Sequence, residues 1–186
     1  MIQIEETSTV DVSGILTTAA LKDHLRVEHD QDDQLIETLR GAAFAYLESY
    51  TGSRFGSRTV NIWLDFWRSC EIPARPVTSV TDVKYYDQNG DLQTLDTSKY
   101  FTDLVGHSSR VRFINTPALQ PNGLNRVKIE AVLGYATAPD PILAAAKLLV
   151  GHLYDQRQNE VVGTISSPLV VGAHALANPY RVLSYA

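Results

Sequence analysis

The sequence predicts an α+β protein in which a helical bundle is interrupted by an antiparallel β unit. Apolar residues recur at the helical spacings of three and four near the N terminus and again after Pro139, but they alternate with polar residues between residues 58 and 135. Two helices before the β segment and one long helix after it can close into one bundle. We therefore expect four regions: an N-terminal arm with the first two bundle helices (1–56), the β insertion (57–136), the third bundle helix (137–160) and an extended C-terminal docking tail (161–186).

Composition favours a folded protein and excludes several classes. With 186 residues, 44% of them hydrophobic, the chain is long enough to bury a core. It has no run of about 18 apolar residues, and its N terminus lacks the basic start of a signal peptide, so we expect a soluble protein made in the cytoplasm. The single Cys70 excludes an internal disulfide and leaves too few thiols for a thiolate zinc site.

The net charge of −5 is unevenly distributed along the chain. Residues 1–40 hold nine acidic and three basic side chains, a balance of −6, so the remaining residues sum to +1. A DNA-binding face needs clustered Lys and Arg to neutralise phosphates, and this distribution does not supply one. A mildly acidic wall that repels DNA would instead suit a conduit.

An extended arm and a short helix are predicted at the N terminus. Met1–Ile15 mixes β-branched residues with turn formers and is typical of an extended segment. Thr17 is the expected N-cap of the first helix, since its hydroxyl can accept a hydrogen bond from an amide of the first turn. Leu21 and Leu25 supply a narrow apolar stripe, so this helix needs a partner to be stable.

The second helix is the most clearly marked element. Asp30 is its expected N-cap, with Asp32 and Asp33 in the first turn, where the helix dipole favours negative charge. Gly52 is placed to end the helix in the left-handed conformation. The residues that mark one buried face are Leu35, Ile36, Leu39, Ala42, Ala43, Tyr46, Leu47 and Tyr50.

The middle of the chain predicts about five or six antiparallel strands. Asn89-Gly90 favours a two-residue hairpin turn whose central residues both need positive φ. Further strands are predicted over residues 100–105, 109–114 and 126–133. In the first strand, the inward positions are Val60, Ile62, Leu64 and Phe66, and Trp63 faces the opposite side.

The aromatic residues near Arg68 have two interpretations. Trp63, Phe66 and Trp67 could stack nucleic-acid bases, but the sequence supplies no basic groove to hold a strand. A core residue together with an interface residue explains them more simply.

A third helix and a broken apolar tail complete the chain. Pro141 suits a first helical turn, because its missing amide hydrogen would be unpaired there, and the helix is expected to run to Gln158. After Glu160 the tail is interrupted by glycines and prolines, and its apolar run is costly to leave in water. Either a partner's surface or the chain's own bundle can cover it.

Candidate chemistry is sparse. Asp30, Asp32 and Asp33 lack the glycine of a calcium loop, so helix capping explains them better. The histidines form no HExxH pair, and Ser166-Ser167 lacks the glycines that flank a nucleophile elbow. We therefore expect no catalytic residue, no metal and no cofactor.

Several stretches carry a family resemblance: 24–33, 45–52, 72–83, Tyr135 with Pro139 and Pro141, 161–165 and 179–182. In their order and spacing they resemble the long form of the phage head-tail connector, or adaptor, family, also found in gene transfer agents. The resemblance covers nearly the whole chain and is carried by the order of the motifs, each of which is weak alone.

The resemblance implies a structural role in the virion neck, without catalysis or membrane contact. Such proteins form a ring, commonly a dodecamer, that binds the portal at one end and a stopper or tail component at the other, with DNA passing through the centre. The tail is the implied portal contact, and its candidate residues are Asn178, Pro179, Tyr180, Arg181, Val182 and Leu183. The alternatives are a stopper or tail-terminator component and, outside virion biology, a small α+β hydrolase or ligand-binding protein.

A closed ring also requires two different complementary faces on every subunit. We hypothesise that the acidic residues Asp30, Asp32 and Asp33 form one face. Arg54 and Arg58 are the basic candidates for the other.

Overall fold

A computed structural model describes residues 2–8, 10–72, 75–104, 109–156 and 170–182. The fold is α+β, as predicted. It divides into two compact units, each made from two separate stretches of chain. The sheet unit comprises Met1–Val10 and Ser57–Tyr135, and the helical unit comprises Asp11–Gly56 and Ala136–Ala186.

The described part of the sheet unit contains eight strands: β1 Ile2–Glu6, β2 Arg58–Leu64, β3 Cys70–Glu71, β4 Val77–Tyr86, β5 Leu92–Thr94, β6 Tyr100–Asp103, β7 Arg110–Phe113 and β8 Val127–Leu133. They form a five-stranded sheet of order β1-β2-β8-β4-β5 and a three-stranded sheet of order β3-β7-β6. Seven of these strands, β2–β8, lie in the middle of the chain, where five or six were predicted. The difference arises because the two-residue β3 is too short to show a period of two.

The first part of the N-terminal arm, Met1–Val10, belongs to the sheet unit, which corrects its predicted place with the bundle helices. β1 pairs antiparallel with β2, so that Ile2 lies opposite Leu64 and Glu6 opposite Val60. The partner strand follows both predicted N-terminal helices in the sequence. A local pattern can indicate an extended segment, but it cannot identify a partner so far along the chain.

Alternation along the first predicted strand places Val60, Ile62 and Leu64 correctly in the core of the sheet unit, but it misplaces Phe66. The strand ends at Leu64, so Phe66 leaves the alternation and is 50% exposed. Trp67 packs on the core instead, tilted against the rings of Tyr85 and Phe113. Its indole N–H donates to the carbonyl of Pro117 at 2.8 Å.

The predicted hairpin joins β4 to β5, but its turn differs from the predicted type. Only Gly90 has positive φ, at 88°, whereas Asn89 does not. The Gly90 N–H donates to the Asp87 carbonyl, and the Asp87 N–H donates to the Asp91 carbonyl, both at 3.0 Å. One residue with positive φ closing a longer loop is the arrangement of a turn with a glycine bulge.

The described part of the helical unit contains α1 (Thr18–Leu25), α2 (Asp33–Thr51), α3 (Asp140–Asp155), α4 (Val170–Ala177) and a 3₁₀ turn (Asn178–Tyr180). Thr17 caps α1 as predicted, accepting a hydrogen bond from the Ala20 N–H at 3.2 Å. Gly52 ends α2 with φ 70°, also as predicted. None of the helices in the described ranges is long and apolar enough to cross a membrane.

Two predicted helix ends are wrong. Asp32, and not Asp30, is the N-cap residue of α2, and its side chain makes no capping hydrogen bond. The third helix ends at Asp155 and not at Gln158. The side chain of Asp30 is paired with Lys22, and that of Asp32 is hydrogen-bonded to Tyr154.

A buried arginine joins the beginning of the helical unit to α2. Arg40 is only 6% exposed, and its Nη1 donates to the Leu16 carbonyl at 3.3 Å and to Thr18 Oγ1 at 3.0 Å. Burying a guanidinium is costly unless it is hydrogen-bonded, so these bonds matter to the packing. The buried apolar residues of the helical unit include Leu21, Ile36, Phe44, Leu47, Ile142, Ala145, Ala146 and Val150.

We predict that Gly41→Ala stabilises the protein by about 0.5–1 kcal/mol, because Gly is a poorer helix former than Ala. A Cβ at Gly41, within α2, would meet no heavy atom within 4 Å. Gly52→Ala is the matched opposite: it lowers the free energy of unfolding by about 1 kcal/mol, since φ is positive there. Urea unfolding followed by circular dichroism measures both changes, and a loss of stability in Gly41→Ala would contradict the prediction.

Candidate functional site

The predicted docking tail is helical where it is described, which corrects its expected extended form. We call residues 170–182 the C-terminal segment; it contains α4 and the 3₁₀ turn. α4 packs against α3, and Ala173 and Ala177 are fully buried. The prediction counted Gly172 and Pro179 among the residues that interrupt this stretch. The alanine-rich run between them is a good helix former and was the signal available in the sequence.

A stack of three rings holds α4 against α2. The imidazole of His174 lies parallel to the Tyr50 ring, with centroids 4.0 Å apart and planes 4° apart, and its centroid is 5.8 Å from that of Tyr46. The Tyr46 hydroxyl and His174 Nε2 are 2.6 Å apart and hydrogen-bonded. The two tyrosines are one helical turn apart, so they present their rings to the same neighbour. We call this group the tyrosine–histidine stack.

Backbone hydrogen bonds then fix the chain that follows α4. The Val182 N–H donates to the carbonyl of Thr51 at 2.7 Å, and Ser53 Oγ donates to the carbonyl of Tyr180 at 2.8 Å. The left-handed Gly52 lies between these two anchors, and a Cβ there would approach Val182 Cβ to 3.4 Å. The end of α2 and the two residues after it therefore form the surface against which the 3₁₀ turn and Val182 pack.

The six predicted portal contacts divide into three groups: Asn178, Pro179 and Arg181 are exposed, Tyr180 and Val182 are half-buried, and Leu183 lies outside the described residues. The main chains of the half-buried pair are hydrogen-bonded to Thr51, the last residue of α2, and to Ser53, two residues beyond it. The alternative of folding back onto the chain's own bundle concerns Leu169, Val170 and Val171 above all, of which Leu169 lies outside the described residues and Val171 is 61% exposed. Arg181 remains at the surface, with its guanidinium carbon 5.5 Å from the centre of the Tyr50 ring.

The predicted acidic residues do come together, but each has a partner within the helical unit. Lys22 Nζ lies 2.5 Å from Asp30 Oδ1 and 2.9 Å from Asp33 Oδ1, while the Tyr154 hydroxyl donates to Asp32 Oδ2 at 2.5 Å. The hydrogen bond between Lys22 and Asp30 is the largest cause that lowers the pKa of Asp30 and raises the pKa of Lys22. These carboxylates therefore join α1, α2 and α3 to one another.

The two arginines predicted at the ring interface, Arg54 and Arg58, are half-buried and buried, respectively. Arg58 is only 8% exposed, and its Nη1 lies 3.3 Å from Glu6 Oε2 within the sheet unit. Because that guanidinium is buried, Arg58 is wrong as a surface residue of a ring interface. Arg58 lies two residues before Val60, in the alternating series of inward residues of β2, and this position was the sequence signal for its burial. Arg54 is half-buried and already interacts within the chain.

The outer face of the five-stranded sheet carries a charge ladder that the sequence prediction missed. Lys84 Nζ and Lys128 Nζ each lie 2.8 Å from Glu130 Oε1. Lys128 also lies over the Trp63 ring, whose N–H donates to Glu5 at 3.2 Å. Hydrogen bonds from Lys128, and then from Lys84, hold the pKa of Glu130 below its ordinary value. Trp63 is thus packed among paired side chains.

Metal-binding groups are not assembled in the described ranges. No cluster of three or more His, Cys, Asp or Glu residues among them could hold a metal ion. Cys70 is buried, and burial raises the pKa of its thiol, which disfavours the reactive thiolate.

Comparison with known proteins assigns the family. The phage gp6-like head-tail connector family matches residues 17–110, from the cap of α1 to the first residue of β7. The chain belongs to this family. The resemblance predicted from the sequence motifs is confirmed, and the protein is a structural head-tail connector. No curated protein matches this connector in sequence.

Solved structures share the connector's fold over its whole length, including the helices beyond the family match. A chain from the neck of an empty gene transfer agent particle computed with C6 symmetry has a TM-score of 0.80 at 23% identity. A chain from the virion of a native gene transfer agent particle scores 0.78 at 24%, and one from a native neck computed with C12 symmetry scores 0.76 at 22%. Each alignment covers 99% of this chain and 97% of the other. At these identities the likeness establishes the fold.

We predict that Glu130→Gln destabilises the connector at pH 7 by up to about 1 kcal/mol, because two lysines lose their anionic partner. The folded pKa of Glu130 is lowered from 4.5, so the stability it contributes is present above that value and is lost as pH falls through the folded pKa. The difference from wild type should therefore shrink at pH 3. Urea unfolding at both pH values measures it, with the exposed Glu28→Gln as control; an equal difference at both pH values would contradict the prediction.

Proposed function

We propose that the connector forms a ring in the neck of a tailed phage or gene transfer agent. One end of the ring binds the portal, the other receives the stopper or first tail component, and DNA passes through the centre. The observation that carries the proposal is the fold shared over 99% of this chain with chains from particle necks computed with C6 and C12 symmetry. A dodecamer is compatible with both symmetries.

The proposed activity is binding alone, without catalysis, cofactor or membrane contact. Membership of a family of structural connectors supports this. The described polar groups support it too, because the carboxylates and lysines described above are paired with one another in arrangements that stabilise the fold.

We propose Asp30 as a ring contact on the acidic side. Its side chain is 89% exposed although it is bonded to Lys22, so a basic group of the neighbouring copy can approach it from solvent. Asp32 is bonded to Tyr154, and Asp33 is the more covered partner of Lys22. Arg54 stays the basic candidate of the original pair, since Arg58 is buried.

Asp30→Asn should weaken ring assembly at low ionic strength and have little effect at high salt, because salt screens exposed charge pairs. Negative-stain imaging and native mass measurement at about 50 mM and about 500 mM salt test this expectation. Asp155→Asn, which removes an exposed charge at the end of α3, is the control. Equal numbers of rings for wild type and Asp30→Asn at low salt would exclude Asp30 as a contact.

The proposed portal contact is the exposed part of the 3₁₀ turn. Asn178, Pro179 and Arg181 project from a turn whose main chain is fixed to α2 by the bonds of Tyr180 and Val182. Arginine is frequent among the residues that dominate interface energies, since its planar head binds while its stem packs. A turn held in this way needs little further ordering when it binds.

Replacing Asn178 and Arg181 together by Ala should reduce capture of the portal protein about tenfold or more, the effect expected for interface hot spots. Affinity for the purified portal of the same particle measures the change. Arg112→Ala, which removes an exposed arginine from β7 of the sheet unit, is the matched control. If the double variant binds as tightly as the wild type, the portal contact lies elsewhere on the connector.

A further inference from the structure

We propose that His174 is a positioning residue for portal binding: through the Tyr50 ring it holds Arg181 and the 3₁₀ turn in the arrangement that the portal recognises. The inference rests on the proposed portal contact. His174 itself need not touch the portal.

The connection between the two residues runs through a single ring. Tyr50 is stacked on His174, with centroids 4.0 Å apart, and the Arg181 guanidinium carbon lies 5.5 Å from the centre of the same ring. Tyr50 is thus shared between the group that holds α4 and the basic group of the exposed turn. Aromatic stacking and cation–π contacts each have a preferred geometry, so movement of the Tyr50 ring disturbs both.

His174 is itself held in a defined orientation. Its Nε2 is hydrogen-bonded to the Tyr46 hydroxyl at 2.6 Å, and its imidazole is nearly parallel to both tyrosine rings. Besides the stack, the fully buried Ala173 and Ala177 hold α4 in the helical unit. The stack therefore adds orientation to a helix whose fully buried contacts include these two small side chains.

Small side chains alone give α4 few constraints on its rotation and position. A helix packed through alanines can shift along its groove, since alanine provides little surface to interlock with neighbours. The rings of the stack prevent that shift where α4 meets the end of α2. From His174 the chain reaches Arg181 in seven residues, through α4 and the 3₁₀ turn. A displaced α4 would thus change where the turn presents Arg181.

The expected consequence is a loss of preorganisation. Without the stack, Arg181 and the turn must be ordered when the portal binds, which typically lowers affinity roughly 2- to 10-fold. The loss should depend on Arg181 being present, because His174 acts through that side chain.

A double-mutant cycle in the full-length connector tests the proposal. We would measure the affinity for the purified portal of the same particle for wild type, His174→Ala, Arg181→Ala and the double variant. The expected result is a clear loss in His174→Ala and a smaller or absent further loss when the same change is made in Arg181→Ala. His174→Phe, which keeps a ring in the stack, should bind more tightly than His174→Ala. A purely structural role would instead give equal losses in both backgrounds.

A second pair of variants covers the case in which His174→Ala unfolds α4, as judged by circular dichroism and thermal unfolding. Tyr50→Phe keeps the ring, whereas Tyr50→Leu removes it and keeps a smaller apolar side chain. The expected result is near wild-type affinity for the first and a loss for the second. Equal affinities for the two would overturn the proposal.

The outcomes also separate this inference from the function on which it rests. If the wild-type connector does not bind the portal at all, the proposed portal contact fails. If the wild type binds and His174→Ala binds equally well, or if the cycle is additive, only the role of His174 is excluded.

Discussion

The packing of α2 against α3 is the interaction on which the helical unit depends. α1 is only eight residues long and α4 is equally short, and isolated helices of that length are unstable in water. Both become stable by burying their apolar sides on the longer pair. Since α2 precedes the long stretch Ser57–Tyr135 of the sheet unit in the sequence and α3 follows it, the helical unit cannot be complete until that stretch has been made.

The same helix that builds the core also builds the proposed site. One side of α2 buries Ile36, Phe44 and Leu47, while its last two turns supply Tyr46 and Tyr50 for the tyrosine–histidine stack. Thr51, Gly52 and Ser53 then receive the chain after α4. The 3₁₀ turn is therefore fixed to the end of a helix that is anchored in the core, which is a suitable basis for the proposed rigid contact between particle components.

Local elements were largely predictable, because their signals depend on neighbouring residues. The cap at Thr17, the stop at Gly52 and the apolar stripe of α2 follow from hydrogen bonding and a period of three to four residues within one helix. The partner of β1 and the second sheet were not predictable, because ladder partners are distant in the sequence. Phe66 is exposed and Trp67 packs on the core because β2 ends at Leu64, and the alternation pattern does not mark that end.

The acidic residues at the start of α2 show most clearly that charge pairing is not predictable from the sequence. The sequence places Asp30, Asp32 and Asp33 together, but only the fold brings Lys22 and Tyr154 to them. Asp32 and Asp33 thereby join helices to one another, while Asp30 stays exposed although it is bonded to Lys22.

By itself the sequence determined the family, the α+β class and the strongest helices, since these follow from composition, periodicity and the order of short motifs. Tertiary structure alone decided which charges are neutralised, that Arg58 is buried and that the C-terminal segment is seated on α2. The physical reason is that burial and pairing depend on contacts between residues far apart in the chain.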